Sequence, residues 1–301
     1  MSDIKSISAL RRRPSTSAYS LRARGRLVPL GMAPVFAITS GKGGVGKTTV
    51  TANLATTLAR KGQRVLAIDA DVGLANLDLL FGVKPAYTIA DFFSGRAAID
   101  EIVTTTPQGV MILPGASGVQ QLTALSGAQK LALASGLESL ARQVDLVIID
   151  TCSGISDAAT YFATAAQQIV VVVTPEPASL TDAYALIKVL ASTYGEKHFK
   201  ILFNNIEGED QARRLFDNLS RVAVRFLNVS LDCLGWIPRD PQFLAAVAHS
   251  RLVVEEAADA PSARAFGVVT GRLIESALAG GRMKGNLQFF FRQVLEGMEG
   301  V

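Results

Sequence analysis

The stretch VFAITSGKGGVGKTTV, residues 35–50, decides how this chain folds. VFAIT reads as a strand. Glycines 41, 43, 44 and 46 follow, and TTVTANLATTLARKG then reads as a helix that ends at Gly62. A strand, a Gly-rich loop and a helix in that order make a phosphate-binding loop. The glycines let the backbone turn tightly and aim its amides at phosphate oxygens, and the helix start adds unpaired N–H groups and a favourable dipole. On this pattern Gly43, Gly44, Val45, Gly46 and Thr49 line the phosphates. Lys47 reaches the β and γ phosphates, and the Thr48 hydroxyl ligates Mg²⁺. The loop implies Mg²⁺ and a nucleoside triphosphate.

Outward from the loop, strands alternate with helices. RVLAIDAD (64–71) is a strand, and TPQGVMILPGA suggests another at Val110–Leu113. Residues 128–143 read as a helix, and VDLVIIDTC as an apolar strand over 144–149 that ends on Asp150. QIVVVVTPEP (168–177) carries a valine run suited to a strand buried on both faces. A helix over 179–194, the strand FKILFNNI, a helix over 210–227 and a short final strand, LDCLGWIP, come next, before helices over about 241–259 and 262–280. The expected fold is α/β, of the P-loop NTPase kind: a mostly parallel central sheet with helices on both faces. No internal repeat and no second sizeable domain is visible.

Three acids stand at predicted strand ends, where open α/β sheets bind ligands. Asp69 and Asp71 are two apart, so alternation points both the same way. Asp150 ends its apolar strand, with Gly154 four residues on. With Thr48, these three are the candidate magnesium ligands, and Asp71 has a further candidate role in orienting the attacking water.

Of the 301 residues, 49% are hydrophobic, yet no apolar run reaches the length of a spanning helix. The start is basic without the continuous apolar segment of a secretory signal. Charge is unevenly placed. Of 30 basic and 26 acidic side chains, seven basic ones and one acid lie in residues 1–28, which leaves 23 against 25 elsewhere. A near-neutral body argues against a strong nucleic-acid surface. Cys152 and Cys233 read as buried thiols of a reducing cytoplasm, and two separated cysteines do not make a four-thiolate cluster. His198 and His249 show no zinc spacing.

The loop carries an extra lysine, Lys42, just after its first glycine. KGGVGKT resembles the deviant-loop bacterial ATPases: septum-positioning MinD proteins, plasmid-partition ParA proteins, nitrogenase iron proteins and flagellar-number regulators. The resemblance spans about residues 35–280. It implies ATP as the nucleotide and a homodimer when ATP is bound, with Lys42 reaching the partner's nucleotide. DADVGLANLDLLFG (69–82) looks like the segment in which the second Asp, here Asp71, serves hydrolysis. DTCSGISD (150–157) resembles the second switch, with Cys152 and Ser153 departing from the commoner Pro–Ala or Gly–Ala. Asn204 or Asn205 matches the adenine-side asparagine. IPRD (237–240) matches the loop that packs on the base, with Pro238 and Asp240 near it. The resemblance thus implies Lys42, Lys47 and Asp71 as the catalytic set.

Two flanking segments frame this ATPase domain. Residues 1–34, rich in Ser, Arg, Gly and Pro, read as a flexible basic arm. Septum-positioning members usually begin almost at the first strand, so a leader of this length favours the flagellar-number branch (FlhG-, FleN- and YlxH-like). In that branch an N-terminal helix activates a GTPase of the signal-recognition type. ISALRRR (7–13) matches that helix faintly, through Ala9, Leu10 and Arg11. A flagellar transcription activator is the other partner implied. Residues 281–301 hold Leu287, Phe290, Phe291, Val294, Leu295 and Met298 on one helical face, with Arg282, Lys284 and Arg292 nearby. Such a helix packs on its own protein or lies in the plane of an anionic membrane. Three consecutive phenylalanines favour the membrane, hence a cytoplasmic protein peripherally associated with the inner membrane. A division-site MinD protein and a ParA-like DNA-segregation ATPase are the competing functions.

Overall fold

The computed structural model describes residues 33–71, 76–88, 91–92, 94–114, 136, 139–140 and 143–278. The basic arm up to residue 32, most of the helix expected over 128–143 and the C-terminal amphipathic segment lie outside the described residues.

Apolar residues in β1 (Val35–Ser40), β2 (Val65–Ala70), β5 (Leu146–Ser153) and β6 (Gln168–Val173) are buried on both faces. Alternation sorts them into two cores. Val35, Ala37, Leu66, Ile68, Val147, Ile149, Val171 and Val173 point one way; Phe36, Ile38, Val65, Ala67, Leu146, Ile148, Val170 and Val172 point the other. Each of the larger of these side chains contributes about 1.5–3 kcal/mol by leaving water, so helices must cover both faces. On the first face lie α4 (Asp157–Ala165), α5 (Pro177–Tyr194) and α6 (Glu209–Leu227). On the second lie α1 (Lys47–Arg60), α2 (Leu77–Phe81), α7 (Pro241–Ala248), α8 (Val253–Glu256) and α9 (Pro261–Leu278). A short helix, α3 (Ile99–Ile102), precedes β3 (Thr104–Thr105) and β4 (Met111–Leu113).

With β7 (His198–Ile206) and β8 (Ser230–Pro238), the strand order is β3-β4-β2-β5-β1-β6-β7-β8. Every pairing is parallel except β3 with β4. This is the mostly parallel, doubly covered sheet that the sequence predicts. β1 is central, and the chain runs from it first to one side and later to the other. Its C-terminal end is therefore a crevice where the topology switches direction. At the opposite end Asp145 accepts hydrogen bonds from the Arg64 main chain, Nε and Nη2, which pins the starts of β2 and β5 together.

Five sequence expectations need correction. β5 does not end on Asp150 but runs to Ser153, because β2 and β1 both continue alongside: Ala70 pairs with Thr151 and Ser40 with Ser153. The final strand is nine residues long rather than short. The helix expected over 241–259 is two, α7 and α8, because Ser250 takes a left-handed φ of 53° and the Arg251 amide turns back to the Ala246 carbonyl at 2.8 Å. Helix α4 is absent from the sequence reading, although Ser156, which accepts from the Ala159 amide, is a legible cap. The thiols are not both buried: Cys152 is half-buried and Cys233 is exposed. Among the described residues, no helix is long and apolar enough to cross a membrane.

Candidate nucleotide site

Between β1 and α1 the backbone folds over on itself. The Ser40 hydroxyl donates to the Lys42 carbonyl at 2.7 Å, and Gly44 and Gly46 take positive φ values of 77° and 87°. Gly41 lies directly on the backbone of α5: a Cβ there would stand 2.1 Å from the carbonyl carbon and oxygen of Asp182. Only glycine allows that approach. The other side of the loop is held by Asn204 at the end of β7, whose Nδ2 donates to the Val45 carbonyl at 2.9 Å.

Helix α1 begins at Gly46 with no side-chain cap and no acid in its first turn. Its leading amides therefore carry the positive end of the dipole with no side chain of the helix to neutralise it, which suits a bound anion. Lys47 is buried at this end. Beneath it, the buried Asp150 carboxylate meets the Thr48 hydroxyl, and the Thr51 hydroxyl at 3.3 Å. Burial is the main force that pushes the Asp150 carboxyl up to about 7; neighbouring Asp69 adds to the rise, and the two hydroxyls and Lys47 oppose it. A buried carboxylate beside the loop's threonine suits Mg²⁺, which is usually held by one or two carboxylates plus phosphates. Loop, lysine and acid thus fit Mg²⁺ with a nucleoside triphosphate.

The three acids stay near one another without forming one shared metal site. Among the described residues, no three His, Cys, Asp or Glu side chains are placed to share a metal ion. Asp69 is buried beside Asp150, in register across β2 and β5. Asp71 lies past the end of β2, so strand alternation does not set its direction. Instead its amide turns back to Asp69 Oδ1 at 3.2 Å.

Of the residues expected near the base, Asn204 is buried and Asn205 is exposed with a left-handed φ of 61°. Pro238 closes β8. The Asp240 carboxylate is engaged elsewhere: Oδ1 caps α7 at the Gln242 amide (2.9 Å), and Oδ2 accepts from the Ser262 amide and hydroxyl (3.1 and 2.7 Å). Burial raises its affinity for a proton, but the Ser262 hydroxyl and these amides more than offset that and hold it below the usual range. Asp240 ties α7 to α9, a role not legible in the local sequence.

Lys42 ion-pairs with Glu176 of the same chain, the residue that immediately precedes α5. Glu176, Thr51 and the backbone at Asp182 are the site residues that sequence reading missed. The position of Glu176, just beyond the apolar strand β6, was the available signal.

A loop of this geometry at the central strand of a parallel sheet defines the class: an α/β P-loop nucleotide-binding protein. Residues 36–253 match the CobQ/CobB/MinD/ParA nucleotide binding domain, and the chain belongs to that family. It is 40% identical over 262 residues to Antiactivator FleN of Pseudomonas aeruginosa, covering 87% of this chain and 93% of that protein. It is 33% identical over 263 residues to the Flagellum site-determining protein YlxH of Helicobacter pylori, covering 86% and 89%. Among solved structures, MinD from the MinC:MinD complex of Aquifex aeolicus superposes with TM-score 0.65 at 28% identity, covering 83% of this chain and all of that one. MinD of Pyrococcus horikoshii with Mg-ADP gives TM-score 0.65 at 25% identity, covering 84% of this chain and all of that one.

Proposed function

We infer that this chain is an Mg²⁺-dependent ATPase that acts as a switch on flagellar number or placement through protein partners. The 40% identity to an antiactivator over nearly the whole of both chains carries this reading. The site supports the chemistry. The loop amides and Lys47 would hold the β and γ phosphates, and Thr48 and Asp150 would hold Mg²⁺, which when bound supplies positive charge beside those phosphates. Asn205, Pro238 and the adjoining main chain face the base. Asp71 orients the attacking water. ATP closes two chains into a homodimer in which Lys42 leaves Glu176 and neutralises charge at the partner's nucleotide. Residues 281–301 anchor that dimer to anionic membrane, and the basic arm engages a GTPase or a transcription activator.

Phosphate release and gel filtration with and without a non-hydrolysable ATP analogue test the switch. Vesicle sedimentation of the full chain, and of a chain ending before Asn286, tests the anchor: equal sedimentation would remove it. Counting flagella in cells lacking the gene tests the biological role. Normal flagella with displaced septa would replace it by division-site placement.

A further inference from the structure

We propose that Asp69 is a positioning residue that holds Asp71 in place, and is not a magnesium ligand. This deepens the site described above and rests on Asp71 serving hydrolysis. Asp69 sits in β2 with 2% of its surface exposed, on the same face of the sheet as α1 and α2. Both its oxygens are engaged by main-chain amides. Oδ1 accepts from Asp71 at 3.2 Å; Oδ2 accepts from Asn76 at 3.0 Å and from Leu77 at 3.1 Å. Those amides lie on both sides of one connection: Asp71 where the chain leaves β2, Asn76 and Leu77 where α2 begins. One carboxylate therefore ties the exit of the strand to the entry of the helix, and fixes the backbone that carries the Asp71 side chain.

Two further observations set Asp69 apart from a cation ligand. Its register partner, Asp150, is met by hydroxyls and by Lys47, groups that belong to the phosphate loop and its helix. Asp69 instead faces three amides of its own following segment, and a carboxylate offers about four acceptor positions in all. The start of α2 also lacks a side-chain cap from its own Asn76, and Asp69 supplies that bond from the strand. With three of those positions taken, a cation drawing on Asp69 would compete with buried main-chain amides, and any amide it displaced would be left unpaired in the interior, which is costly.

Hydrogen exchange on the wild-type chain tests this without any substitution. The chain is loaded with a non-hydrolysable ATP analogue, with and without Mg²⁺, and the amides of Asp71, Asn76 and Leu77 are followed. Positioning predicts that Mg²⁺ leaves their protection unchanged or raises it; loss of protection at all three on adding Mg²⁺ would overturn the proposal. Asp69→Asn supplies the second arm. It should slow hydrolysis by about ten-fold or more and deprotect the same three amides, while β1 amides stay protected. The Mg²⁺ concentration needed for half-maximal binding of the analogue should move by less than about two-fold. A shift of about ten-fold or more in that midpoint, with protection retained, would assign Asp69 to the cation. If Asp71→Ala hydrolyses at the wild-type rate, the role given to Asp71 fails, while the exchange data still decide what Asp69 holds.

Discussion

Lys42, the lysine that marks the loop, is ion-paired with Glu176 of its own chain. The two lie 134 residues apart, at the mouth of the phosphate loop and at the start of α5. Both side chains are more than a third exposed, so the pair contributes little, about 0.2–1 kcal/mol. A contact that weak can hold Lys42 aside without trapping it. If ATP moves Lys42 to a partner chain, Glu176→Gln should tighten ATP-dependent dimerisation by about two- to five-fold at low salt, with the gain fading as salt rises. Lys42→Ala should abolish it. Analytical ultracentrifugation with an ATP analogue reads both; a Lys42→Ala dimer as tight as wild type would end the trans role.

Asn204 and Asn205 should separate by ligand. Asn204→Ala leaves the buried Val45 carbonyl without its side-chain donor, a loss of about 1–3 kcal/mol in loop geometry. Its affinity should fall about ten-fold for ATP and also for inorganic tripolyphosphate, which has no base. Asn205→Ala should weaken ATP and leave tripolyphosphate alone. Isothermal calorimetry with the two ligands makes the comparison, and equal losses for both variants would count against it.

Gly41→Ala should be far worse than Gly44→Ala. A methyl at 41 collides with the backbone of α5, whereas one at 44 meets nothing within 4 Å and suffers only the left-handed φ of 77°. That strain costs about 1–2 kcal/mol. Expected outcomes are loss of nucleotide binding by about 100-fold or more at 41 and by less than about ten-fold at 44, a difference that equilibrium binding of a fluorescent ATP analogue resolves.

Asp150 should destabilise the nucleotide-free chain at neutral pH. Its folded carboxyl titrates at about 7, above the ordinary carboxylate range, so the folded state keeps a proton that the unfolded state has lost. Stability from this group is therefore fully present at acid pH and declines as pH rises towards 7. Without Mg²⁺ or nucleotide, Asp150→Asn should raise Tm by about 5 °C at pH 8 and by much less near pH 4. Mg²⁺-dependent nucleotide binding should fall in the same variant. Thermal melts across pH check the sign; a gain that grows towards acid would refute it.

Much of this was legible in the residue order, for one reason: periodicity and turn chemistry depend on neighbours a few positions away. The valine run of β6 declares a strand buried on both faces, and glycines ahead of Lys47 and Thr48 declare a phosphate loop. The sheet, most of its helices and the identity of the loop residues follow from that local information. What local pattern does not contain is which distant group a polar side chain meets. Asp69, Asp240 and Asn204 are all acids or amides near strand ends, and by position alone each reads as a ligand contact. Tertiary packing engages Asp69 with the start of α2, Asp240 with Ser262 and Asn204 with the loop carbonyl. It also extends β5 past Asp150, because two flanking strands offer partners there. A buried polar group must pair with whatever the folded chain brings to it, so its partner is a property of the assembled structure, whereas the strand or helix it sits on was already written in its neighbours.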